Sequence, residues 1–327
     1  MAIGLQSDFV IRHELFASVF EERITQNLDV FNEASRGTVV LQTASMEGNY
    51  GRRRFFDRLA STNNRRDTTS VSAQTDTALT MDEIISVKRD RKFKTHAQTL
   101  DAWEKLGISI NQMNVMLAQN FADETKRDVL EAAYISLVAA LGVTAGSVYD
   151  YSGTADADYT ALTRALALFG DQQDQILCWH AHSNVLKGLQ IESLTASSGQ
   201  VGRSMIFDAV IGTLNRPMVI TDSSNFQTAA TPVDYYVLGL TEDACVITMS
   251  ESIRFVGDLV TGLENLVQRF QGEYSYNVEI KGHKWDMTNG GANPTDATLG
   301  TGSNWDIAVA DPTKNGPGVR LEVDATA

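Results

Sequence analysis

Some sixty residues between Arg36 and His96 offer little that could fill a core, and they constrain the fold more than any other part of the chain. Two strand-like runs, TVVLQT at 38 to 43 and EIISVKRDRKFKTH at 83 to 96, enclose GNYGRRRFFDRLASTNNRRDTTS and further Ser, Thr and Gln. An irregular insertion of about forty residues is uncommon inside a compact domain. The segment is therefore expected to leave the body as a long two-stranded arm with an irregular middle. Its charge sets it apart as well. It carries twelve Lys and Arg against seven Asp and Glu, a net of +5, so the remainder of a chain of net charge -14 holds -19. A body that acidic is repelled by phosphate and gains little from counterion release, which excludes a general nucleic-acid binder. On the arm, Arg52, Arg53, Arg54, Arg58, Arg65 and Arg66 are interrupted by Phe55 and Phe56. An aromatic pair on a polar, basic arm calls for a partner. Nucleic acid is one candidate; an acidic neighbouring copy of the same chain is the favoured one, because the -19 supplies the complement.

The remaining 327-residue chain has room for one large domain or two ordinary ones, and 43% hydrophobic residues with only five prolines describe a folded protein. Phe9, Phe16, Phe20, Ile24, Leu28 and Phe31 recur at helical steps over 8 to 34. Asn111 opens a second period through Met113, Leu117, Phe121, Leu130, Tyr134, Leu137 and Leu141, closed by Gly142. Such a helix is about 45 Å long, enough to cross a whole domain. From 159 to 257 the pattern is a mixed α/β layer: helix 159 to 169, strand 175 to 182, helix 184 to 193, then strand-like 216 to 223 and 235 to 249. Long paired strands follow at 264 to 286, then a Gly, Asn and Thr-rich loop and a last strand, GVRLEV, at 318 to 323. The fold class is α+β.

CWHAH at 178 to 182 brings a thiol and two imidazoles to alternate positions. In a strand Cys178 and His182 would stand about 13 Å apart on one face, too far to share a tetrahedral ion whose ligand atoms all lie within about 2.3 Å of it. The run reads as a strand end, with Ser183 capping the next helix. No G-x-S-x-G elbow, H-E-x-x-H pair, P-loop lysine or full dinucleotide fingerprint occurs, so no catalytic, cofactor-binding or metal residue is assigned. The two cysteines, Cys178 and Cys245, sit in apolar runs as expected of reduced buried thiols. The N-terminal sequence has no signal-peptide pattern and no run of about eighteen apolar residues is present, so a soluble cytoplasmic protein without membrane contact is expected.

In this order the elements resemble the major capsid protein of tailed bacteriophages. The residues that carry the resemblance are LDAWEKLGISINQMNVMLAQNFADETKRDVLEAA at 100 to 133, ILCWHAHSNVLKGLQ at 176 to 190, NRPMVITDSSNF at 215 to 226 and DYYVLGLTEDACVITMS at 234 to 250. WDMTNGGANPTDATL at 285 to 299 and NWDIAVADPTKNGPGV at 304 to 319 are similar to the C-terminal part of a subgroup of these proteins. The resemblance implies the HK97-type fold. It divides the chain into an N-terminal helical arm at 1 to 35, an extended loop at 36 to 98, a peripheral domain with a spine helix at 99 to 155 and 258 to 327, and an axial domain at 156 to 257. It implies a non-enzymatic virion protein, assembled in the host cytoplasm as pentamers and hexamers of an icosahedral shell around double-stranded DNA, without sequence-specific binding. The extended loop, with Arg52 to Phe56, Arg58, Arg65 and Arg66, would lie on the adjacent subunit. Some members weld the shell through an extended-loop lysine. Here the first lysine is Lys88, outside the loop tip, so a non-covalent shell is expected. No fused scaffolding domain is visible before the arm, which implies a separate scaffold or a processed chain, beside a portal and decoration proteins. The rival readings are an encapsulin-like compartment around a cargo enzyme, and a soluble metal-dependent enzyme using His180 or His182.

Overall fold

Tyr274, Tyr276, Val278 and Ile280 alternate with Ser275, Asn277 and Glu279, and this period of two becomes the longest strand of the computed structural model, Val267–Ile280. The structure describes residues 18–324 apart from 27–28, 30, 58–64, 67, 70, 72, 74–75, 77, 100, 102–104, 106–109, 153–156, 198–215, 229–232 and 251–253. Its elements begin with strands β1 Val39–Thr43, β2 Tyr50–Phe56, β3 Met81–Lys92 and β4 His96–Thr99, followed by helix α1 Ile110–Val143 and strand β5 Val148–Asp150. Then come α2 Tyr159–Ala167, β6 Ile176–His182, α3 Ser183–Ser197, β7 Met218–Thr221, β8 Asp234–Thr241, β9 Cys245–Met249, β10 Arg254–Val260 and β11 Val267–Ile280. The C-terminal elements are β12 His283–Trp285, α4 Asp296–Leu299, β13 Trp305–Ile307, α5 Pro312–Asn315 and β14 Gly318–Asp324. Helical residues 18–26 and 31–34 precede β1 and bury Phe20, Ile24 and Phe31; Phe9, Phe16 and Leu28 of the expected helix lie outside the described side chains.

A seven-stranded sheet is built on β11. Along one edge β4 and then β3 pair with it, and along the other β10 and then β9, all antiparallel. Phe93 N to Gly272 O and Ser250 N to Ser275 O bridge the breaks between these partners. β1 extends the sheet parallel to β9, and β2 extends it antiparallel to β3. The second sheet has five strands in the order β5-β14-β8-β6-β7. Its strands depart from the expected segmentation: 318 to 323, placed with the long strands, pairs instead with β8 and β5, whereas 245 to 249, placed in the mixed layer, pairs with β11.

Helix α1 runs for 34 residues, about 51 Å. It begins at Ile110, so Asn111 falls inside it rather than at its cap. Phe121, Tyr134, Leu137 and Leu141 are buried in one core with Val39, Leu41, Ile247, Tyr276, Val278, Trp285 and Trp305. Each fully buried large apolar side chain stabilises the fold by about 1.5–3 kcal/mol. Gly142 does not end the helix. A Cβ there would collide with the Arg320 guanidinium, which donates from Nη1 to Val138 O at 3.0 Å and so satisfies a carbonyl of the last turns. The five-stranded sheet is covered on both faces. Leu238 and Leu240 of β8 join the α1 core, while Val237, Trp179, Ala181, Val319 and Leu321 join a second core with Leu162 and Leu166 of α2 and Leu189 of α3.

Candidate functional site

The arm is a β-hairpin. Tyr50–Phe56, expected as part of an irregular middle, is a strand whose residues face Val87 to Met81 of β3 one by one. The Arg-rich run carries no apolar alternation to announce it. It is drawn into the ladder because the buried residues Ile84, Ile85, Ser86 and Val87 of β3 would otherwise present an unpaired edge. Gly51 is required by close packing, since a Cβ would stand 2.5 Å from Ser86 Oγ and 3.2 Å from Met46 Sδ.

The hairpin separates the candidate contact residues. Arg53 donates to Glu279 of β11 at 2.6 Å, and Arg52 lies 3.9 Å from Glu83 and 3.3 Å from Met287 Sδ, so both brace the arm on its own chain. Both arginines are largely exposed, and such pairs contribute little energy each. Phe55 is half-buried; Arg54, Arg65 and Arg66 are exposed. Phe56 is 70% exposed and faces Met81, itself 59% exposed. Arg58 lies outside the described residues.

Sequence reasoning missed the root of the arm. Arg89 and Arg91 share the register of Ile85 and Val87, which point toward α1, and that parity was the available signal: a charge on a core-facing position needs a partner. Arg91 forms an ion pair with Asp128 of α1, with Nε 3.0 and 3.1 Å from its two oxygens. Tyr274 donates to Asp128 at 2.7 Å and Tyr276 at 3.2 Å. Burial raises the Asp128 pKa, and hydrogen bonds from Arg91 and Tyr274 outweigh it, leaving the carboxyl below its ordinary value. Arg89, with 1% of its side chain exposed, donates to Tyr276 OH at 3.0 Å, Asp296 at 2.5 Å and Pro294 O at 3.2 Å. Outside this cluster Lys284 meets Asp82 at 3.5 Å, and Asp90 N donates to Asn293 Oδ1 at 3.0 Å. The base of β3 is thus fastened to α1, to β11 and to the C-terminal loop.

CWHAH is β6. Cys178 and His180 are fully buried; His180 Nε2 is 3.0 Å from Thr38 Oγ1 and its Nδ1 is 3.4 Å from Tyr134 OH, at the meeting of α1 with both sheets. Burial holds this imidazole down to about 3, so it is neutral. His182 instead lies beside the Tyr235 ring and accepts from Asn184 N at 3.2 Å, a capping contact at the start of α3 that the sequence had given to Ser183. Burial pushes the Cys178 thiol up to about 11 and Cys245 higher still, so neither is a nucleophile. Among the described residues no three of His, Cys, Asp and Glu converge as metal ligands, and no helix is long and apolar enough to cross a membrane.

Comparison with solved structures finds phage capsids. The chain is similar to the capsid asymmetric unit of cyanophage Pam1, with a TM-score of 0.52 and 12% identity over 86% of each chain. It is similar to the capsid of Ralstonia phage GP4, with a TM-score of 0.51 and 10% identity over 90% of this chain and 91% of that one. For Mycobacterium phage Bobi the TM-score is 0.52 and the identity 12%, over 88% and 89%. At these identities the likeness shows the fold, which is the HK97-type capsid fold. Comparison with curated protein sequences finds no match. Residues 8–320 match the family described as major capsid protein 13-like, and with that span covered the chain belongs to this family of phage major capsid proteins, the structural proteins of the head shell.

Proposed function

We propose that each copy grips a neighbour through its arm, and that closure of the icosahedral shell into pentamers and hexamers is the sum of these grips. The observation that carries the proposal is the hairpin's asymmetry. Its root is fixed by a buried ion cluster, while Phe56, Met81, Arg54, Arg65 and Arg66 face outward from it. A device firmly held at one end and apolar and basic at the other is built to engage a second body. Many weak contacts then add through multivalency to a wall that holds pressure. In this reading the seven-stranded sheet with α1 is the peripheral domain, the five-stranded sheet with α2 and α3 is the axial domain, and 36 to 98 is the extended loop. The net acidity of the body leaves enclosed double-stranded DNA free to slide during packing, with no sequence-specific binding. Assembly takes place in the host cytoplasm with a separate scaffold and a portal, and decoration proteins bind afterwards. Electron microscopy of the purified protein after size-exclusion chromatography tests the reading. Closed particles are expected; a stable small oligomer with stoichiometric metal would instead mean a soluble enzyme.

A further inference from the structure

We propose that the apolar residues at the two far ends of the seven-stranded sheet bind each other between neighbouring copies: Phe56, Leu79 and Met81 on the arm of one copy against Leu263 and Leu266 in the turn between β10 and β11 of the next. The inference rests on the arm being an intersubunit contact and names the surface that receives it.

Phe56, Leu79 and Met81 are 70%, 65% and 59% exposed, and Leu263 and Leu266 are 58% and 55% exposed. Among the described residues the other exposed large hydrophobics add to these two groups, as Val71 and Val256 do, or come singly from separate parts of the chain, as do Met116, Val143, Ile220 and Ile307. Grouped exposed apolar residues on a soluble protein mark contact surfaces, whereas scattered ones need no explanation. The arm group is built by the ladder, since Phe56 and Met81 are cross-strand partners. The turn group is set by Gly262, whose φ of +88° a side chain would resist.

The two groups cannot meet within one copy. β3 runs antiparallel to β11 with Val87 opposite Val278, so the arm leaves beyond the C-terminal end of β11, while residues 261 to 266 precede its N-terminal end. Along the strands the separation is on the order of 60 Å. Unlike patches at opposite ends of a molecule join head to tail, a heterologous contact that propagates from copy to copy and closes when the angle allows. Charge agrees with this pairing. Glu264 is the only charged residue of the turn, and Arg54, Arg65 and Arg66 are exposed on the arm.

Co-assembly of two single-cysteine variants, Met81→Cys and Leu263→Cys, tests the pairing; the native cysteines are both buried and free, so a new disulfide stands alone. Under mild oxidation, particles containing both variants should give a reducible band at twice the chain mass, and particles of either variant alone should not. Cross-linking within one variant, or mixed particles without the band, overturns the pairing and leaves the shell reading intact. Failure of the unsubstituted protein to form particles at all overturns the shell reading itself. A Leu263→Asp, Leu266→Asp variant gives a second measure. It should melt as the parent does yet lose particles, and particles at parental yield overturn the proposal.

Discussion

Asp128 accepts from Arg91, Tyr274 and Tyr276 with 19% of its side chain exposed, and so holds a charge on α1 against a charge on the root of the arm. Replacing it by Asn keeps the shape and leaves the guanidinium without its counter-charge. Loss of one partner of a buried pair costs about 3 kcal/mol, so Asp128→Asn should lower the denaturant midpoint of the unassembled subunit by that amount at unchanged slope. Because hydrogen bonding holds the folded pKa of Asp128 below its ordinary value, its contribution is complete above the ordinary carboxylate range and is lost as pH falls through the folded value. His180 acts at higher pH. Burial depresses it to about 3 and also lowers His283, so between about 6.5 and the folded values the unfolded chain binds more protons than the folded one. Stability should therefore fall as pH drops below about 6.5, by at most about 1.4 kcal/mol per pH unit for each histidine. Denaturation series at pH 7, 6 and 5 check this, and His180→Gln should remove only its own share of the slope.

At the scale of elements, the hairpin of β2 and β3 divides its basic residues between two tasks. Arg52 and Arg53 lean on Glu83, Met287 and Glu279 of the same chain, and Arg54, Arg65 and Arg66 do not share those contacts. Reversing the outer charges by Arg54→Glu, Arg65→Glu and Arg66→Glu should leave the subunit's melting within about 0.5 kcal/mol of the parent, as surface substitutions do, and should abolish particles seen by negative stain. Arg53→Glu should act differently, lowering subunit stability by placing two carboxylates together at Glu279. Equal effects of the two variants would mean that root and tip are not separate. The division was only partly legible in the sequence. The polar, basic interior of 36 to 96 announced an arm, but the strand Tyr50–Phe56 has no apolar alternation and forms because β3 needs a partner. Likewise α1 was readable from Phe121, Tyr134, Leu137 and Leu141, since a helix carries its own periodicity. The pairing of β14 with β8 was not, because Gly318–Asp324 finds its partner some eighty residues away and nothing local specifies which sheet it joins.

For the whole molecule, two sheets share one helix. The α1 core takes in residues of both, with Leu238 and Leu240 from one and Ile247 and Val278 from the other, and His180 binds Thr38 and approaches Tyr134 where they meet. A subunit so joined resists bending between its halves, and the arm root is tied into the same core through Asp128. Force applied to an arm by a neighbour is thus delivered to the body of the subunit rather than to a loose linker. A wall assembled in this way can be strong without covalent welds, and the chemistry of the arm agrees. Between Asp57 and Thr80 the chain has no lysine, and the first one, Lys88, is 8% exposed in the root of β3 opposite Asn277. A weld to another subunit needs an amine that reaches the contact and a water-poor site that favours its neutral form. Lys88 is on the wrong part of the hairpin for the first requirement. Boiled, reduced particles should therefore run on a denaturing gel as one band at the mass of the chain. A ladder of multimers would show that Lys92 or Lys94 reaches a neighbour, placing the contact at the root of the hairpin instead of its tip.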